Sequence, residues 1–239
     1  MESRNPFFGK VAEKYDMFFE TSYGKAVFEL EKQLLLKVLS REESLLEVGC
    51  GTGFWSKVLI EEDFKEPTGI DISKDMLAIA KKKGLKKLVL GNAEFLPFKS
   101  DSFDTAFFVT SLEFIKNKKR AFVEAVRVSK KSVVVAFLNR YSLLYLYRAL
   151  HSFFKESIYT PGNFLTVDEV KNLSKYAGSV LKEKFLIPGR LHSTLSLSID
   201  GFVNKKWEEL IGFDTPFGGF TVLKFYIRKR HGNSKRDRY

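Results

Sequence analysis

Glycines at 49, 51 and 53 stand between the apolar run Leu45-Leu46-Glu47-Val48 and the aromatic pair Phe54-Trp55, a pattern that could hold a ligand against bare backbone. Residues without a Cβ turn sharply and let a ligand lie against peptide groups. The apolar run reads as a buried parallel strand, and the helix expected to open near Phe54 would aim free N–H groups at whatever fills the loop. Such a loop selects a carboxylate or a phosphate. Glu47 adds a carboxylate near the end of the strand. Cys50 lies inside the loop, where packing is its expected role because no histidine is assigned beside it.

The spacing narrows the ligand. A dinucleotide fold uses G-x-G-x-x-G, and the position of its third glycine is taken here by bulky Phe54. A second short apolar strand, Thr68-Gly69-Ile70-Asp71-Ile72, ends in an acid about 20 residues beyond the loop, the separation at which a carboxylate meets ribose hydroxyls. A carboxylate accepts from both hydroxyls at once. Ser73 then caps the helix expected from Lys74.

Glu47-Val48-Gly49-Cys50-Gly51-Thr52-Gly53 resembles the first motif of the class I S-adenosylmethionine (SAM) methyltransferases. Gly91-Asn92-Ala93-Glu94-Phe95-Leu96-Pro97-Phe98, followed by Asp101-Ser102-Phe103-Asp104, resembles the G-D-A-E-x-L-P-F…D-x-S-F-D segment of the small-molecule, ubiquinone/menaquinone-type members. The resemblance covers residues 7 to 137 well and the remainder in outline. It implies SAM as cofactor, S-adenosylhomocysteine as product, and contacts from Tyr15, Glu47, Gly49, Cys50, Gly51, Gly53, Asp71, Ile72, Met76, Asn92, Ala93, Glu94 and Thr110. Asn92 stands where most relatives carry aspartate. Its carbonyl can accept from an exocyclic amine while its NH₂ donates to a ring nitrogen. Phe114 replaces a common histidine, which removes one acid or base.

These residues need a scaffold of alternating elements. A helix from about Lys25 to Leu39 precedes the first strand; strands and helices then alternate, Phe103–Val109 being the fourth strand and Lys130–Phe137 the fifth. Such alternation argues for an α/β fold with helices on both faces of a parallel sheet. The resemblance implies a Rossmann-like doubly wound sheet of seven strands with an antiparallel last strand. Thr166 and Glu169 form an expected capping box. The last strands are expected over about Val180–Ile187 and Phe220–Ile227, with Phe217-Gly218-Gly219 as the turn into the latter.

One methyltransferase domain is expected over residues 1–230, with an amino-terminal lid and helix over 1–40 and a flexible tail over 231–239. Residues 8–24 read equally as a flap over the cofactor or as a helix packed on the domain. The segments 139–160 and 190–216 exceed the minimal fold and read as a helical cap over the acceptor, or as core or a dimer seam. Leu143, Leu146, Tyr147, Leu150 and Phe154 share one face at helical spacing.

The net charge is +11, and much of the excess lies in Arg228 to Tyr239. A basic tail is solvated or binds nucleic-acid phosphates. The chain lacks the N/D-P-P-Y/F tetrapeptide of many enzymes that methylate base amino groups, so a small-molecule acceptor is expected, with an RNA methyltransferase using the basic tail, or a non-catalytic SAM-binding module, as the alternatives. One cysteine excludes an intramolecular disulfide framework, and His151, His192 and His231 offer no metal-ligand spacing. No stretch approaches the ~18 apolar residues of a membrane span and no signal peptide is read, so the expected location is cytoplasmic. Methyl transfer needs chiefly alignment and exclusion of water, and a base only if the acceptor retains its proton. Tyr15, Tyr23, Glu113 and His151 are candidates for that base by position alone.

Overall fold

The computed structural model describes residues 20–142, 145, 164–195 and 215–230. In chain order the elements are α1 (Ser22–Val38), β1 (Leu45–Val48), α2 (Phe54–Glu61), β2 (Thr68–Asp71), α3 (Lys74–Lys82), β3 (Leu88–Leu90), β4 (Phe103–Val109), a 3₁₀ turn (Leu112–Phe114), α4 (Lys118–Val128), β5 (Ser129–Leu138), α5 (Val167–Val180), β6 (Lys184–Thr194) and β7 (Phe220–Lys229). They build the seven-stranded sheet β3-β2-β1-β4-β5-β7-β6. Only β7 runs against the others, pairing antiparallel with both β5 and β6.

The central strands are apolar on both faces because helices cover both. Ala106 and Phe108 of β4 pack with Phe122 and Val126 of α4 on one side. Phe107 and Val109 alternate to the other side, against Leu34 and Leu35 of α1. Capping follows the residue types: Ser73 Oγ accepts from the Met76 N–H at 3.3 Å. At Thr166 both bonds of the capping box form, at 3.1 Å and 2.7 Å.

The sixth strand differs from expectation. Val180 closes α5, and the strand begins four residues later and continues through Thr194. Arg190 to Thr194, expected in the cap segment 190–216, therefore belong to the sheet. Pro188-Gly189 reads as a strand breaker, yet the pairing with β7 resumes after a register shift between Pro188 and Leu191. An edge strand tolerates proline and a bulge because one side of its ladder needs no partner. Lys184 pins the start of this strand. Its Nζ donates to Asp101 Oδ1 at 2.6 Å and to the carbonyls of Val126, Arg127 and Ser129 at 2.9, 3.0 and 2.8 Å. Those carbonyls lie at the carboxyl end of α4, where a cation is favoured.

Among the described residues no helix is long and apolar enough to cross a membrane, and no cluster of three metal-ligating side chains occurs.

Candidate cofactor site

The chain leaves β1 toward β2 and β3, then returns to place β4 on the other side of β1. Connections therefore diverge at the carboxyl ends of β1 and β4, the crevice where open α/β sheets bind ligands. The glycine loop follows β1 and the 110–114 segment follows β4.

Gly49 and Cys50 extend the strand pairing, donating to the Ile70 carbonyl at 2.8 and 3.1 Å. The backbone then turns through left-handed conformations at Gly49, Gly51 and Gly53, with φ of +73°, +53° and +69°. The three glycines do different work. A Cβ on Gly49 would lie 2.7 Å from Ser111 Cβ, and one on Gly53 would overlap Leu85 Cδ1 and lie 3.1 Å from Ala80 Cβ. Both allow close packing within the protein. Among the described residues a Cβ on Gly51 would meet only Met76 Sδ, at 4.0 Å. Gly51 thus offers bare backbone to open space, as a cradle for a ligand requires.

Asp71 holds this loop in place. Its Oδ2 accepts from the Gly51 N–H and its Oδ1 from the Ser73 N–H, both at 2.8 Å. Burial raises its pKa, and the backbone donors oppose that rise. Each carboxylate oxygen keeps lone-pair capacity for a further donor such as a hydroxyl. Ile72, beside it, is an apolar side chain left 54% exposed at the end of β2. Met76 is buried beneath the loop.

Asn92 Oδ1 accepts from the Glu94 N–H at 2.8 Å, which shapes the turn after β3. Ala93 packs against the core. The Glu94 carboxylate accepts from the Asn117 N–H at 3.0 Å, and its carbonyl accepts from Arg120 Nε at 2.9 Å. Glu94 thereby ties this turn to the start of α4. Thr110 adopts a φ of +45° while its N–H donates to the Ala136 carbonyl at 2.8 Å. That conformation is uncommon for a residue with a Cβ, and such outliers concentrate at functional sites.

Glu47 is buried and faces α2, where the Ser56 hydroxyl donates to its carboxyl. Burial pushes its pKa up to about 8. Cys50 is buried too. Desolvation holds its thiol well above the usual range, which opposes the thiolate form a nucleophile needs. Its partner is Gly69, where a Cβ would lie 2.8 Å from Cys50 Sγ. Tyr15 and His151 lie outside the described residues. Tyr23 packs against the α1 side of the core.

Two contributors escape a reading of motifs alone. Ser111 Oγ donates to the Val48 carbonyl at 2.6 Å and binds the end of β4 to the loop. Gly69 makes room for Cys50. A glycine inside a strand signals close backbone approach, whereas nothing local marks Ser111.

If Asp71 receives ribose hydroxyls, Asp71→Ala should weaken S-adenosylhomocysteine binding roughly ten- to a hundredfold, since charge-assisted hydrogen bonds are worth about 1.5–3 kcal/mol. Asn92→Ala should cost less, about 0.5–1.5 kcal/mol for neutral bonds. Calorimetry on both variants checks this ordering, and the reverse order would exchange the two ends of the nucleoside.

Residues 46–137 match the methyltransferase-domain family. The uncharacterized protein MJ1123 of Methanocaldococcus jannaschii is 34% identical over 174 residues, covering 72% of this chain and 80% of that protein. A demethylmenaquinone methyltransferase of Thermotoga maritima is 33% identical over 134 residues, covering 52% of this chain and 56% of that enzyme. A SAM-dependent methyltransferase of Thermotoga maritima, known from its crystal structure, superposes with a TM-score of 0.72 at 25% identity, covering 91% of this chain and 96% of that one. With its glycine loop at the β1/β4 switch point and its antiparallel β7 between β5 and β6, the chain belongs to the class I SAM-dependent methyltransferases.

Proposed function

We propose that this SAM-dependent methyltransferase acts on a small, largely apolar or aromatic acceptor, held over the carboxyl ends of β4 and β5 by the segment that follows β5. The cofactor supplies an electrophilic methyl group on a positively charged sulfur. In this reading the Gly49–Gly53 loop holds its amino-acid end, Asp71 the ribose, and Asn92 with Ala93 the adenine edge. The protein then contributes alignment and the exclusion of water.

One observation carries the choice of acceptor: the sequence from Asn139 to Glu156 is rich in Tyr and Leu and poor in cations. Tyr141, Leu143, Leu144, Tyr145, Leu146, Tyr147, Phe153 and Phe154 stand against Arg140, Arg148 and Lys155. Small-molecule pockets are lined mainly by apolar and aromatic side chains, whereas an RNA groove interleaves cations with stacking rings. Most of this segment lies outside the described residues. Its root supports the reading. Tyr141 is 64% exposed, and Asn139 is wholly buried, its Nδ2 donating to the Pro216 carbonyl at 2.8 Å. The ends of the two expected cap segments, at Asn139 and at Pro216, thus meet beside the end of β5. Demethylmenaquinone, the acceptor of one relative, is a ring-bearing molecule.

We read residues 1–230 as one domain, with a lid and helix over 1–40, and 231–239 as a tail outside it. The Arg230 N–H still pairs with the Glu183 carbonyl at 2.8 Å.

Labelled-methyl transfer tests the proposal. Leu146→Asn or Tyr147→Asn should raise KM for the acceptor roughly ten- to a hundredfold, the loss of about 1.5–3 kcal/mol of apolar burial, with SAM affinity unchanged. Truncation after Arg230 should leave turnover intact. Loss of turnover in a truncated protein that folds and binds SAM would favour a nucleic-acid acceptor instead.

A further inference from the structure

Glu113 sits in the 3₁₀ turn that follows β4, two residues beyond Ser111, whose side chain abuts the glycine loop. Its side chain reaches across to β5. Oε1 accepts from the Leu138 N–H at 2.9 Å, the last residue of that strand. The carboxyl therefore lies between the carboxyl ends of β4 and β5, beside the root of the Asn139 segment. Glu113 is 4% exposed, and among the described residues Oε2 has no hydrogen-bond partner.

That orphan oxygen calls for a physical account. A buried polar atom without a partner costs about 1–3 kcal/mol, and more if charged. Holding the Leu138 amide requires a single acceptor, which Oε1 supplies. In either protonation state the second oxygen is unmatched: ionised it lacks a donor, protonated it lacks an acceptor. An unmatched group buried at the mouth of a sheet is suited to a ligand that brings the missing partner.

We propose that Glu113 Oε2 receives the proton of the methyl acceptor, so that the acceptor is a molecule whose methylated atom carries a proton, a hydroxyl or an N–H. The inference rests on the reading above of where the acceptor lies. As the acceptor heteroatom's lone pair forms the bond to the methyl carbon, the carbon–sulfur bonding pair leaves on sulfur. The heteroatom's proton passes to Glu113 Oε2. The positive charge of the sulfonium and the negative charge of the carboxylate are both discharged, and the protonated carboxyl later returns its proton to water. Burial places the carboxyl pKa at about 7, near a working pH, where a base is most effective.

Phenol, hydroquinone and imidazole serve as probes with the full chain. In labelled-methyl assays the wild type should methylate at least one, with turnover rising through about pH 7, the folded-state value. Glu113→Gln keeps an acceptor for the Leu138 amide and should lower kcat roughly 10²–10⁴-fold, abolish the rise with pH, and leave SAM affinity unchanged, together with the melting temperature near pH 5, where the native carboxyl is itself neutral. Unchanged turnover or a persisting pH rise in the variant would overturn the assignment while leaving the small-acceptor reading intact. A wild type that neither binds nor methylates any probe would overturn both. A second measurement needs no variant to fold. Infrared difference spectra of the wild type with S-adenosylhomocysteine should show a buried carboxyl band shifting when the methylated probe is added, and no shift would overturn the proposal.

Discussion

Gly51→Val is expected to abolish SAM binding in a protein that remains folded. The substitution places a branched side chain where, among the described residues, a Cβ would meet nothing nearer than Met76 Sδ at 4.0 Å, so their packing does not resist it. The left-handed φ of +53° does, at a cost of about 1–2 kcal/mol for a residue with a Cβ. That is a fraction of the roughly 5–15 kcal/mol stability of a typical domain. The cofactor, by contrast, would lose the bare backbone of the cradle to two methyl groups. Gly53→Val supplies the contrast. Its side chain would overlap Leu85 and crowd Ala80, and should unfold the helix-loop junction before binding can be measured. Calorimetry with S-adenosylhomocysteine, paired with thermal melts, separates the two. Unchanged affinity in Gly51→Val would remove this loop from the site.

Stability should fall as pH rises from 5 to 8, by several kcal/mol. Two carboxyls drive this. Burial holds Glu47 at about 8 and Glu113 at about 7, against about 4.5 for both in the unfolded chain. Between those limits the folded protein holds protons that the unfolded chain has released, so unfolding is favoured as pH rises. The contribution is complete below about 4.5 and lost through about 7 for Glu113 and about 8 for Glu47. Within its window each group contributes roughly 1.4 kcal/mol per pH unit. Carboxylates that the fold holds below their usual range, such as Asp101 beside Lys184, act in the opposite sense at lower pH. The melting temperature should therefore peak near the lower end of the window and decline toward pH 8. Glu47→Gln should flatten the decline across pH 5–8, because an amide there has no proton to lose. A melting temperature independent of pH over that range would show both carboxyls ionised in the folded protein.

The legible parts of the chain are those whose determinants lie close in sequence. Leu45–Val48 is followed at once by glycines and then by a helix, so strand, loop and helix could be read together, and β1 and α2 form over the expected residues. The Ser73 cap and the Thr166–Glu169 capping box each need only residues three apart. Phe103–Val109 forms the strand expected over those residues, with Thr105 to Val109 buried, its β-branched and aromatic residues suited to a pleated surface. The alternation of elements carried the fold class, and the quoted motifs carried the cofactor.

Tertiary contacts decided the rest. Local sequence treats the three loop glycines alike, but Ser111 and Leu85, brought in from distant elements, make packing residues of Gly49 and Gly53 and leave Gly51 open. The strand that passes Pro188-Gly189 exists because β6 lies at the edge of the sheet, a position no local pattern encodes. Glu113 is one acid among many in the sequence. Only the fold, by burying it against Leu138 and matching a single oxygen, turns it into a group that needs a partner. Hydrogen-bond satisfaction and packing depend on which surfaces the folded chain brings together, so they are settled between elements and not within them.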